Sequence, residues 1–168
     1  MKDELERMFG AYNLAKSLEL SLYSLVAHSK GGEILGFMVL HNVPSIPGHI
    51  LPEDLHSMDV WLQSETVDNG YAPLSILWLE FFWIKSSTTM LEILSKALLC
   101  TALALSPETH FIFYAGPLST TDLSGPLFNI VASSEELQLT LYLINRRCIL
   151  LFTFSTVMIF SLSATNCL

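Results

Sequence analysis

Charge is scarce in this 168-residue sequence: 14% of positions are Asp, Glu, Lys or Arg, against about 25% in ordinary soluble domains. The scarcity is uneven. All sixteen acids stand at or before Glu136, whereas 137–168 keeps only Arg146 and Arg147 as charges. Up to Glu136, six basic residues face sixteen acids, a net charge of −10. Such a surface repels phosphate backbones and argues against nucleic acid as a partner. Cysteine is equally sparse. Cys100, Cys148 and Cys167 form no CxxC pair, which argues against a disulfide framework and for a reducing compartment. No Asn-x-Ser/Thr triplet occurs, and the charged stretch Met1–Arg7 lacks the apolar core of a secretion signal.

What is present is apolar and periodic. Met1–Lys16 mixes charges with Leu5, Met8 and Phe9 and reads as a short helix. Ser21–His28 is apolar on both alternating faces, as in a strand covered on two sides. Ser29-Lys30-Gly31-Gly32 supplies a tight turn, because glycine accepts the positive φ a hairpin needs. Glu33–Leu40 is the return strand. Pro44, Pro47, Gly48 and Pro52 then break regular structure. In Glu53–Ser64 the spacing of Leu55, Met58 and Leu62 predicts a helix, with Trp61 beside that face. Leu74–Ile84 is bulky and aromatic, the pattern of a central strand. A helix capped by Thr88 or Thr89 runs to about Leu105, and His110–Ala115 is a further buried strand. The order predicts an α/β fold: an antiparallel hairpin feeding a βαβ crossover with parallel strands, hence a mixed sheet.

Four features invite a functional reading. The strand–helix junction Ile84–Thr89 is where an α/β protein cradles a phosphate on backbone N–H groups. It has no glycine to permit close approach, so Lys85 reads as a solvated loop residue and no cofactor is expected. His28, His41, His49, His56 and His110 fall in no ligand spacing with one another or with cysteine, so no metal site is expected. Glu80, inside an apolar strand, is costly to bury alone; the readings are that it faces the sheet's open side, pairs with a neighbour, or acts as a general base of raised pKa. Trp61, Trp78, Phe81, Phe82 and Trp83 crowd a short stretch. Of these, Trp61, Trp78, Phe82 and Trp83 are candidate partner-contact residues, since interfaces favour aromatic anchors; the competing reading places all of them in the core. No catalytic residue is identified.

The hairpin with Gly36 in Glu33-Ile34-Leu35-Gly36-Phe37 resembles the central hairpin of GNAT acetyltransferases, and the following βαβ unit would be that fold's acyl-CoA-binding half. Those enzymes carry a Gln/Arg-x-x-Gly-x-Gly/Ala loop after the central strand, which Ile84–Met90 does not match. A closer resemblance is to the N-terminal domain of the cilia- and flagella-associated protein 61 family, a degenerate GNAT-like module. It rests on Asn13-Leu14-Ala15, His41-Asn42-Val43-Pro44, Asp59-Val60-Trp61-Leu62, Pro73-Leu74 before Leu77–Phe82, and Ser106–Phe113 closed by Pro117. Val43 departs from the family's usual aspartate, and the nucleotide-binding-like region found further along family members has no counterpart here. The resemblance covers Asn13–Pro117. It implies a non-catalytic structural module of the ciliary and flagellar axoneme, in the cytoplasm and cytoskeleton. Its place would be the calmodulin- and spoke-associated complex at the radial-spoke base, with radial-spoke and spoke-base proteins as partners, supporting cilium or sperm motility.

The loss of acids after Glu136 predicts a boundary: a GNAT-like domain over 1–136 and an apolar tail over 137–168. The tail reads as a non-homologous terminus, or as a membrane anchor reaching from Cys148 to Ala164 behind Arg146 and Arg147. That span is only about the ~17-residue minimum. A divergent acyl-CoA-dependent N-acetyltransferase and a tail-anchored membrane protein are the alternative functional readings.

Overall fold

A short helix, α1 (Leu14–Leu20), leads into the hairpin of β1 (Tyr23–His28) and β2 (Ile34–His41) in this computed structural model, which describes residues 14–44, 55–85, 91–118, 127–151 and 161–165. Gly32 takes φ +82°, and its N–H donates to the Ser29 carbonyl at 2.9 Å. The turn therefore uses glycine where a side chain would be strained. The helix expected over Met1–Lys16 lies mostly outside the described residues, and α1 continues four residues past Lys16. Then come α2 (Leu55–Thr66), a 3-10 turn at Pro73–Ser75, β3 (Ile76–Ile84), α3 (Leu91–Leu105) and β4 (Phe111–Pro117). The proposed caps Thr88 and Thr89 fall outside the described residues. The chain goes on through β5 (Asn129–Ser134), β6 (Leu139–Asn145), α4 (Arg146–Leu151) and β7 (Ser161–Thr165).

All seven strands join one sheet in the order β5-β6-β4-β3-β2-β1-β7. The β3–β4 pair is parallel across the α3 crossover and the other five pairings are antiparallel, giving the expected mixed sheet. Side chains alternate across it. Leu77 and Leu79 of β3, Ile112 and Tyr114 of β4, and Tyr142 and Ile144 of β6 pack with Leu94, Leu98, Leu99, Ala102 and Leu103 of α3. On the opposite face, Ile76 and Trp78, Phe113 and Ala115, and Leu139 and Leu141 pack with Met58 and Leu62 of α2. Leu18 of α1 covers a further cluster of Phe37, Val39, Phe81 and Trp83.

One irregularity in the central strand decides these faces. In the β2–β3 pairing Val39 stands opposite Phe81 and Leu40 opposite Leu79, which leaves Glu80 as an extra residue in a bulge. Before it, odd-numbered residues of β3 face α3. After it, Phe82 and Ile84 take that face while Phe81 and Trp83 turn toward α1. A one-residue slip in a period-two strand has this effect.

The expected boundary at residue 136 is corrected by the sheet itself. It cuts the β5–β6 hairpin, and β6 lies between β5 and β4 with residues buried on both faces. Its lack of charge is that of an interior strand, not of a separate tail. Arg146 is held within the fold. Its Nη1 lies 2.8 Å from the Thr109 carbonyl, 3.0 Å from that of Pro107 and 3.2 Å from that of Ser106, pinning the turn after α3. A cation there also suits the negative end of the α3 dipole. Residues 161–165 are extended and pair with β1, so no continuous helix joins Cys148 to Ala164. Among the described residues, no helix is long and apolar enough to cross a membrane.

Charge-assisted bonds of this kind contribute about 1.5–3 kcal/mol. Arg146→Ala is therefore expected to lower the unfolding free energy by roughly that amount in urea titrations, and Arg146→Lys to recover only part of it, because an ammonium lacks the planar fork. An unchanged midpoint in Arg146→Ala would contradict the docking role.

Candidate functional site

In open α/β sheets, ligands settle in the crevice beyond the carboxyl ends of the strands. Here β3 and β4 pair only over Ile76–Trp78 and Phe111–Phe113. Beyond those residues β3 follows β2 and β4 follows β6, so the two strands part company. The gap between them is where this topology positions a ligand, and four side chains converge on it. The Phe128 ring lies 5.9 Å from Phe82 of β3 and 6.5 Å from Tyr142 of β6, spanning the level at which Tyr114 and Tyr142 stand 5.9 Å apart. Leu127 and Phe128 are each 8% exposed, packed into the α3-side core. Tyr114 folds back over Gly116, where a Cβ would stand only 2.8 Å from the tyrosine Oη, so a side chain at that position would displace the ring. The chain's own apolar and aromatic groups pack together on the α3 side of this parting.

The titratable groups nearby are set for structure. Burial, with the Tyr142 phenol beside it, pushes the Tyr114 hydroxyl up to about 12. A proton held that tightly is poorly matched to acid–base work near neutral pH. Glu80 has found the neighbours that its position demands. Its Oε2 accepts from the Ser17 hydroxyl of α1 and lies 2.6 Å from His41 Nε2 at the end of β2. All three residues are buried. In a serine nucleophile relay the histidine stands between serine and carboxylate. Here serine and histidine both address one carboxylate oxygen, which holds α1 and the end of β2 to the bulge of β3.

The aromatic residues singled out from sequence do not form one surface. Trp78 (5% exposed) and Trp83 (8%) are buried in the core. The buried indole N–H of Trp83 finds no acceptor among the described residues. Phe82 is half-buried against the α3-side core, and Trp61 is half-buried against the α2-side cluster. The sequence is so aromatic here because β3 is central and covered on both faces. Lys85 pairs with Glu33 on the neighbouring hairpin strand instead of standing alone. Tyr114 falls in the strand expected over His110–Ala115, whereas the segment carrying Phe128 has no periodic pattern and Tyr142 lies in the stretch that reads as the apolar tail.

Residues 1–155 match the family described as cilia- and flagella-associated protein 61, N-terminal domain. That range takes in Asn13–Pro117, on which the resemblance was read, and also residues 137–155. Among curated proteins no sequence match is found. Of solved structures, a GNAT-family acetyltransferase from Listeria monocytogenes superposes with a TM-score of 0.52 at 17% identity, over 86% of this chain and 75% of that one. At that identity the likeness is one of fold, and it bears out the GNAT-like architecture. FeeM, an N-acyl amino acid synthase from uncultured soil microbes, aligns with a TM-score of 0.49 at 13% identity, over 93% of this chain and 95% of that one.

The Tyr114 phenol gives a pH signature. The group holds its proton more tightly folded than unfolded, so its contribution to stability is complete below pH 10 and is lost as pH rises toward 12. Denaturation midpoints measured from pH 9 to 12 are expected to fall less steeply in Tyr114→Phe than in the parent. Identical slopes would contradict the burial of this hydroxyl.

Proposed function

This chain belongs to the family of the N-terminal domain of cilia- and flagella-associated protein 61, and on that premise we propose that it is a non-catalytic interaction module of the ciliary and flagellar axoneme. The family ties it to cilia and flagella. The finer placement is the base of the radial spoke within the calmodulin- and spoke-associated complex, where it supports ciliary or sperm flagellar motility. Radial-spoke and spoke-base proteins are its partners there.

The observation that carries the non-catalytic reading is the occupied crevice. Leu127, Phe128 and Tyr114 pack in the α3-side core where β3 and β4 part, which on this reading leaves no room there for an acyl-CoA. The strand–helix junction adds to this, since Ile84–Met90 offers no glycine to a diphosphate. A second reading, a divergent N-acetyltransferase, draws on the shared GNAT fold; fold alone does not carry chemistry.

The axonemal reading is tested by fractionation. The tagged full chain, expressed in ciliated cells, is expected to stay with radial-spoke proteins when cilia are stripped of membrane by detergent. Recovery only in the detergent-soluble membrane fraction would overturn it.

A further inference from the structure

A second concavity lies on the sheet face opposite Phe128, at the beginning of β3. This groove has a volume of about 370 Å³. Its floor is Leu62 of α2 with Ile76 and Trp78 of β3, which are buried to 5% exposure or less. Its walls are Val43, 57% exposed, and Val67, 43% exposed. Those are large apolar side chains left facing water on both sides of an apolar floor, an arrangement that marks interaction sites. Inside the groove, the Thr66 hydroxyl is already spent on the Leu62 carbonyl at 2.6 Å.

The one charge in the lining is Asp59, exposed at the rim. No salt bridge found among the described residues engages it. Of the described cations, Lys85 pairs with Glu33, Lys96 with Glu92 and Arg146 with backbone carbonyls. Between Lys30 and Lys85 the sequence has no Lys or Arg, while α2 and the turn after it carry Asp59, Glu65 and Asp68. Such a field draws cations in and turns acidic segments away.

We propose that this groove docks a partner's peptide segment in which a lysine or arginine is flanked by aliphatic residues. The cation meets Asp59, and an aliphatic side chain lies on Trp78 between Val43 and Val67. Trp78 thereby contributes to binding from the floor and not as a protruding anchor. The inference rests on the reading of the chain as an interaction module and gives that reading a surface.

The test is to pan a phage-displayed library of random nonapeptides on the purified full chain. Enrichment of Lys or Arg beside Leu, Ile or Val is expected. The selected peptides should bind at least ~10-fold more weakly to Asp59→Lys, because like charges then meet. Val67→Lys, at a half-exposed position, should weaken them similarly. Circular dichroism shows whether each variant is folded. An absence of selected clones, clones without cation enrichment, or clones that bind both variants like the parent would each overturn the proposal. Concentration-dependent self-association abolished by Asp59→Lys would also overturn it, by placing a second copy in the groove. Panning does not depend on the axoneme. A chain that selects such peptides but leaves axonemes with the membrane fraction keeps the groove and loses the axonemal reading; the reverse result loses only the groove.

Discussion

Glu80 places a carboxylate in the middle of a strand that is otherwise apolar, and the sheet is arranged around satisfying it. Leaving such a group unpaired away from water is strongly unfavourable. The Ser17 hydroxyl and the His41 ring meet the same oxygen, tying α1 and the exit of β2 to the fourth strand of seven. The residue that needs these partners is also the bulged residue. One position therefore sets which side chains of β3 look toward α3 and which toward α1. The polar contact and the switch of faces are two consequences of one insertion.

Just before that bulge, β3 ceases to pair with β4. A parallel pair that separates leaves a slot, and in α/β folds slots of this kind hold ligands. This chain closes its slot from within, using Leu127 and Phe128 from the approach to β5 and two tyrosines from β4 and β6. These residues belong to the α3-side core. What the fold leaves for recognition is its surface, and the acidic groove beside α2 lies on the face away from the filled slot. The scaffold is GNAT-like, and its family ties the chain to cilia and flagella.

Much of the architecture is legible in the residues. Gly31-Gly32 announces the hairpin, the doubly apolar run Ile76–Ile84 announces a central strand, and the aliphatic stripe of Leu91–Leu105 announces the crossover helix. Glu80 was recognisable as a residue in need of a partner, although Ser17 and His41 are 63 and 39 positions away, and no local pattern names them. The second half of the sheet was hidden for a physical reason. The β5–β6 turn uses Gln138 at φ +53°, a conformation usually left to glycine or asparagine, so no punctuation separates the strands. The lack of acids in Leu139–Asn145 reads in the sequence as a change of material, but it is what an interior strand requires. Arg146, alone with Arg147 in an uncharged stretch, resembled a membrane flank because carbonyl groups distant in sequence leave no trace in composition.

The occupied slot is the claim on which the functional account stands, and titration calorimetry of the full chain against acetyl-CoA measures it most directly. The account predicts no saturable heat, since the coenzyme has neither an open parting between β3 and β4 nor a glycine-lined junction to enter. A saturable isotherm with one coenzyme per chain would contradict it and return the protein to the acyl-transfer enzymes whose fold it shares.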